Sequence, residues 1–433
     1  MAPPATTTAP GATAPGATAP GATAPEATAL TALAVTVLRD WTRARARERP
    51  AAAPDTAAPD TTAPHTTPDT ADPGVPALAA LLATARPDDP ETTAVAAAAV
   101  ASWARTAGRG SGHPGLFSGG LAGTLAGLRL GALLHPALDR PADRLHAHLA
   151  APRPYRTTEV TITDYDFIMG PAGTLQALLL TDAAPPPALL DHLTLLCADP
   201  DLRRLRAGRD ARFPELDWLE GRVNTGMGHG AAGLLTALTA AARRTGDPPP
   251  ALTRAIGHLA HWLTAQSFPD ARSVTSWDGA GLDGPPPPGA RARQAWCYGA
   301  PGICWALWDA ADATGDRETA DWAAGAFTTL CDHYDESFHL YGDPPTDRLG
   351  CCHGAAGVLA VADAFHRHAR HRGAAALRTR LTTHLTDRAG ELPALAAADM
   401  GLLGGAPGVL CALLTAADPE GRSRTWLRCL GLR

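Results

Sequence analysis

The sequence predicts an all-α protein built as two concentric rings of helices. Three observations carry this. Helical segments are separated by Pro, Gly and Asp, with almost no alternating Val/Ile/Thr stretches. A Gly-x-x-Gly motif recurs six times, and apolar helices alternate with helices that have a polar face.

The repeats are Gly120-Leu-Ala-Gly123, Gly170-Pro-Ala-Gly173, Gly230-Ala-Ala-Gly233, Gly299-Ala-Pro-Gly302, Gly354-Ala-Ala-Gly357 and Gly405-Ala-Pro-Gly408. Their first glycines lie 50, 60, 69, 55 and 51 residues apart. Periods of this size mark stacked supersecondary units, here two helices and two loops each.

In chain order, the first segment carries Ala-Pro-Gly at Ala9, Ala14 and Ala19, has almost nothing to bury, and is expected to be disordered. A short helix is predicted over 30–46 from its apolar spacing, with Arg43, Arg45 and Arg47 suiting its C-terminal dipole. The Pro/Thr/Asp-rich stretch 50–76 reads as a linker. Residues 1–76 are therefore expected to form a low-complexity, mostly disordered extension, and 77–433 an α/α-barrel domain. Residues 157–163 predict one isolated strand.

The glycine-led helices are apolar nearly all round, as in Leu234, Leu235, Ala237 and Leu238, so they should be buried. The helices predicted over 252–265 and 317–334 carry a polar face and should lie outside. Paired glycines at i and i+3 let helix starts crowd at one rim, because neither has a side chain. Their exposed N–H groups and positive dipole ends then face one mouth, where chemistry is expected.

Composition narrows the function classes. The net charge of -6 and the absence of a basic stripe exclude a nucleic-acid partner. All 37 basic residues are Arg, which with the Ala and Pro content reads as a coding-composition bias rather than a phosphate site. Eight cysteines in 433 residues make no dense disulfide framework and suggest a reducing compartment. Met1 to Thr28 lacks the charged start and apolar core of a secretory signal. No run reaches the roughly 20 apolar residues of a membrane helix. A cytoplasmic protein without a transmembrane segment is expected.

Most of the conspicuous reactive side chains stand just before the glycines. Cys297 lies two residues before Gly299, Cys352 and His353 directly precede Gly354, His229 precedes Gly230, and Asp166 lies four before Gly170. Equivalent repeats would bring these positions to one rim although they are up to 187 residues apart. Two Cys and one His suit a tetrahedral zinc ion and leave the fourth position open. A closed structural site needs a fourth ligand, and paired Cys-x-x-Cys knuckles are absent. An open position can take a substrate thiol and lower its pKa.

Other readings stand beside these. Cys197, Cys304, Cys331, Cys411 and Cys429 read as small buried apolar groups. Cys351 competes with Cys352 as a ligand, and register against the other motifs favours Cys352. His229 also reads as a helix-start cap and Asp166 as an N-cap carboxylate. The loop 268–295, with Pro285 to Pro288, reads either as shaping access to Cys297 or as plain surface.

The motifs Asn224-Thr-Gly-Met-Gly-His229-Gly, Trp296-Cys297-Tyr298-Gly299-Ala-Pro301-Gly302 and Cys352-His353-Gly354-Ala-Ala-Gly357 resemble those of the LanC-type lanthipeptide cyclases. So do Tyr165-Asp166-Phe-Ile-Met-Gly170 and Gly404-Gly405-Ala-Pro-Gly408, and the resemblance runs from about Ser111 to the C-terminus. It implies an α/α toroid of six to seven helical hairpins, with seven described for the family against six glycine motifs here. It implies one Zn2+ on Cys297, Cys352 and His353, with His229 and Asp166 as acid/base groups and Tyr298 lining the site. The implied reaction adds peptide cysteine thiolates to dehydroalanine or dehydrobutyrine in a dehydrated precursor peptide, giving lanthionine or methyllanthionine. His229 would protonate the resulting enolate, with Asp166 orienting or recharging it. A dehydratase and an exporter are the implied partners, in a biosynthetic complex peripheral to a membrane.

Four alternatives stand beside this reading. A LanC-like protein can add an external thiol such as glutathione to a dehydrated peptide. A non-catalytic peptide-binding scaffold predicts lost ligands, yet all three are present. A prenyltransferase β-subunit calls for an Asp/Cys/His set and a partner chain. A glycosidase barrel needs two opposed carboxylates, which Asp166 alone does not supply.

Overall fold

Fourteen helices alternate along the described chain between an outer and an inner ring. This computed structural model describes residues 24–47, 71–108, 112–281, 289–342, 345–418, 420–421 and 424–433. The Ala-Pro-Gly repeats, most of the 50–76 linker and Pro285 to Pro288 lie outside the described residues. In chain order the ring helices are α1 (Ala24–Arg47), α2 (Gly74–Ala85), α3 (Pro90–Ala104), α4 (Leu121–Gly131), α5 (Asp139–Ala150), α6 (Pro171–Leu178) and α7 (Pro187–Leu196). They continue as α8 (Ala231–Thr245), α9 (Pro250–Ala265), α10 (Ala300–Thr314), α11 (Arg317–His333), α12 (Ala355–Ala364), α13 (Arg372–Thr386) and α14 (Ala406–Ala417).

The even-numbered helices form the inner ring. Each packs on the next, and α14 packs back on α2, so the ring closes at seven. These helices are buried over nearly their whole length, as their all-round apolar sequences require. The odd-numbered helices bury one face and shield the inner ones. The fold is an α/α toroid.

The seventh inner helix is α2, which has no Gly-x-x-Gly. Its start is held instead by Asp72, whose Oδ1 accepts from the Gly74 N–H (2.7 Å) and from the Leu402 N–H (2.7 Å). The first and last inner units are thereby joined.

Helix α1 begins at Ala24 rather than at the expected residue 30, and it is part of the barrel. Leu30, Ala34, Val37 and Leu38 form a buried stripe against α3, α2 and α14. That stripe at i, i+4, i+7 and i+8 has to be covered, and covering it completes the outer ring. The expected strand over 157–163 is also not formed. Val160 makes a single bridge to Ala207, and Thr161 instead caps the short helix Ile162–Tyr165 in a capping box with Asp164. Two unforeseen strands, β1 (Phe268–Pro269) and β2 (Thr275–Ser276), pair antiparallel inside the 268–295 loop.

The second glycine of each motif does something other than let helix starts crowd together. A Cβ at Gly357 would run into the Cys351 carbonyl oxygen and come within 2.8 Å of the Trp296 Cβ. One at Gly302 would run into the Trp296 carbonyl oxygen and come within 2.9 Å of the Met227 Cβ. Each mouth loop thus folds down on its own helix, and the next helix takes the side chain of the loop before it.

The lumen is filled from the other side by the turn Thr425–Leu430. Trp426, Leu427, Cys429, Leu430 and Leu432 are buried there. Three side chains from two inner units donate to carbonyls in and just after it: Gln176 to Arg428 (2.9 Å), and Trp296 and Trp305 to Leu430 (2.9 Å) and Gly431 (3.0 Å). Among the described residues no helix is long and apolar enough to cross a membrane.

Candidate active site

The mouth loops are stitched to one another by backbone hydrogen bonds. Phe117 N–H donates to Ile168, Phe167 to Gly228, Met227 to Cys297, Cys297 to Cys352, and Cys352 to Leu403, at 2.8 to 3.2 Å. Cys297 and Cys352 therefore occupy the same register position on adjacent loops, which is why two residues far apart in sequence meet. His353 follows Cys352 directly. One ligand atom from each of Cys297, Cys352 and His353 lies within 4.8 Å of the others.

That donor set fits zinc. Bonds of about 2.3 Å to sulfur and 2.0 Å to nitrogen put tetrahedral ligand atoms roughly 3.5 to 3.8 Å apart, within small side-chain rotations of this arrangement. His353 Nδ1 lies 3.2 Å from Asp347 Oδ2, which fixes the tautomer and leaves Nε2 for an ion. The electrostatics point the same way. The neighbouring Cys297 thiol, then burial, pushes the Cys352 thiol well up. The Cys352 charge, with Asp347, pushes His353 up to about 10. Two thiols and an imidazole crowded together compete for one negative charge, and a divalent cation relieves that competition.

Cys351 adjoins Cys352 in sequence but turns away from this cluster. It is fully buried, its thiol pushed up by burial, and a Cβ at Gly408 would lie 3.0 Å from its Sγ. It fills the position that Trp296 and Met227 fill in the preceding loops. Cys197, Cys304, Cys411 and Cys429 are likewise buried, whereas Cys331 is only half-buried.

Asp166 and His229 come together from the two preceding loops. Asp166 is fully buried, and its Oδ1 accepts from the Met169 N–H (2.7 Å) and the Gly170 N–H (2.6 Å). Its Oδ2 pairs with His229 Nδ1. The carboxylate both caps a loop and orients a histidine. His229 does not cap α8, whose N-cap is Gly230 without a side-chain bond. Its carbonyl accepts from the Tyr165 hydroxyl at 2.8 Å. Gly228, the residue before it, faces the Cys297 loop, since a Cβ there would sit 3.5 Å from the Cys297 Cβ.

Tyr298 accepts a hydrogen bond from Asn224 Nδ2 at 2.8 Å, so its own proton remains to be donated. Burial pushes its pKa up, against the Asn224 bond, and the charges of Cys297, Cys352 and Asp166 add to the rise. The tyrosine thus senses both halves of the site.

Three residues were missed by sequence reasoning. Asp347 holds His353 from the turn Pro345–Arg348. Gln294 is fully buried, its Oε1 accepting from the Ala300 N–H (2.8 Å) at the start of α10 and its Nε2 reaching Ser276 Oγ (2.8 Å). It braces the Cys297 loop, whose Gly299 adopts φ +94. Arg293 presents a buried Nη1 without a hydrogen-bond partner among the described residues, and its charge helps hold Asp347 below the usual carboxylate range after the larger effect of His353. No spacing in the sequence marks any of them.

A solved structure of Nisin cyclase is similar to this chain with a TM-score of 0.71 at 17% identity, covering 93% of this chain and 98% of that one. At that identity the likeness speaks for the fold. No curated protein sequence matches the chain. The sequence model of the family described as Lanthionine synthetase C-like protein matches residues 65–430, beginning well before the motif-bearing region, and the chain belongs to that family.

Proposed function

We propose that the chain is a zinc-dependent cyclase that forms lanthionine and methyllanthionine rings in a dehydrated precursor peptide. The observation that carries this reading is the cluster of Cys297, Cys352 and His353, with no fourth protein ligand grouped with them among the described residues. A zinc ion held there would lower the pKa of a peptide cysteine thiol at the open position.

The chain's own residues account for the remainder. The peptide sulfur forms a bond to the β-carbon of dehydroalanine or dehydrobutyrine, and the C=C π pair moves toward the α-carbon and its carbonyl. The α-carbon then takes a proton, so the net change is one S–C and one C–H bond for one S–H and one π bond. His229 would give that proton from Nε2, since Asp166 occupies Nδ1. Tyr298 retains a proton with which to meet developing negative charge on the carbonyl. The inner-helix N-termini around the mouth favour the same charge.

The reading places the protein in the cytoplasm, downstream of a dehydratase and beside an exporter. Purified protein should contain one zinc per chain and close rings in a dehydrated peptide, read as loss of alkylatable thiols by mass spectrometry. Cys297→Ala should lose both zinc and ring closure; retention of both sinks the reading. An external thiol such as glutathione in the same assay separates ring closure from intermolecular addition.

A further inference from the structure

Trp218 stands out among the described residues. Exposed large apolar side chains there are Leu133, Leu195 and Trp218, and Trp218, 47% exposed, is the aromatic one of the three. Single exposed apolar residues are ordinary. What distinguishes this one is how it is held and what it stands beside.

The turn that carries it is Pro214–Leu219. Leu219 is buried in a small cluster of its own with Ala207 and Ala280. The indole rests on Gly279, where a Cβ would lie 3.0 Å from Trp218 Cη2 and 3.8 Å from Tyr298 Cε1. Those two ring atoms are therefore no more than 6.8 Å apart, the two distances laid end to end. Gly279 is in turn tied to the His229 loop, because its carbonyl accepts from the Thr225 N–H at 3.2 Å. On the other side of the turn, Phe213, Leu216 and Leu219 line a small cleft with Ile162 and Tyr165. Tyr165 is the residue that bonds the His229 carbonyl. The turn thus stands between the Tyr298 arm and the Tyr165 arm of the site, with an apolar ring facing solvent.

We propose that Trp218 is a specificity-determining residue, a platform for a large apolar side chain of the substrate peptide close to the cysteine that reacts. The proposal rests on the cyclase reading of the same site. Extended peptide advances about 3.3 Å per residue, so a side chain one to three residues from a cysteine beside Tyr298 reaches the indole. Packing there excludes water from both apolar faces, and the glycine seat keeps the ring at a fixed height.

The test uses zinc-loaded full-length protein and dehydrated model peptides in which one leucine is moved through the three positions on either side of the cysteine, with an all-alanine peptide as reference. The wild type should favour at least one leucine position by about tenfold in kcat/KM, carried mainly by KM, as expected for one apolar side chain bound equally in ground and transition states. Trp218→Ala should abolish that preference and Trp218→Phe should keep most of it, with zinc content unchanged in both. Equal losses on leucine and alanine peptides, or a preference that survives in Trp218→Ala, overturns the proposal. Calorimetric titration of the same peptides runs alongside. If the wild type binds them but closes no ring, the cyclase reading fails, while the presence or absence of the leucine preference in binding still decides the role of Trp218.

Discussion

Asp166 grips His229 across the seam between two mouth loops, its Oδ2 on Nδ1 while its Oδ1 takes the backbone N–H groups of Met169 and Gly170. One buried carboxylate thus sets both the shape of its own loop and the tautomer of a histidine 63 residues away.

These two tasks can be separated. Asp166→Asn keeps an oxygen for the backbone donors but presents an amide to His229, so ring closure should fall about 10² to 10⁴-fold with little change in thermal stability. Asp166→Ala strands two backbone donors as well, that of Gly170 buried, and should cost about 2–4 kcal/mol of stability. Steady-state cyclisation and thermal unfolding of both variants check this; equal unfolding for the two would disprove the capping role.

Adjacent cysteines should behave oppositely. Cys352→Ala removes a candidate ligand and should abolish stoichiometric zinc while leaving the fold intact. Cys351→Ala should retain zinc and lose about 1–2 kcal/mol, because its sulfur fills the space beside Gly408. Metal analysis and melting curves distinguish them, and zinc loss in Cys351→Ala alone would reverse the assignment.

Asp347→Ala should weaken zinc about 10 to 100-fold without unfolding the protein, since the carboxylate orients His353 from a partly exposed turn. Competition with a chromophoric chelator reads the affinity directly.

A pH effect on stability is expected away from the site. His339 is fully buried, its Nδ1 accepting from the Asp335 N–H at 3.0 Å and its Nε2 facing Asp270 Oδ2 at 3.2 Å. Burial, the largest influence, holds its pKa below 6.5 although Asp270 and Asp335 pull it up and Arg272 adds to the lowering. A depressed histidine contributes stability above its unfolded value, and that contribution is lost as pH falls through the folded one. Unfolding temperature should therefore drop more steeply below pH 6.5 in the wild type than in His339→Gln. Parallel curves would exclude the role.

The glycine-led helices were legible because each motif is local and each helix announces its burial in its own composition. Cys297, Cys352 and His353 were legible for a related reason, since their register against the glycines stands in for spatial adjacency. Helix α2 was harder, because its start is held by Asp72 together with Leu402, a contact that spans 330 residues. Helix α1 was legible as a helix but not as part of the barrel, since its partner α14 lies at the other end of the described chain. The 157–163 stretch misled through its β-branched residues, where the Thr161 and Asp164 side chains prefer to close a turn. Asp347 and Gln294 act through hydrogen bonds that no periodicity records.

The Asp72 contact has a mechanical consequence. An open stack of hairpins has two terminal units, each with one bare flank that frays and needs a polar cap. Here every hairpin has two neighbours, so partial unravelling from an end has nowhere to begin except at the seam that Asp72 clasps. The residue after Leu402 is Leu403, whose carbonyl receives the Cys352 N–H at 2.9 Å. Unfastening the clasp would be felt one hairpin away, at the loop that offers two of the three candidate metal ligands, and the candidate centre is in this sense only as rigid as the circle is unbroken.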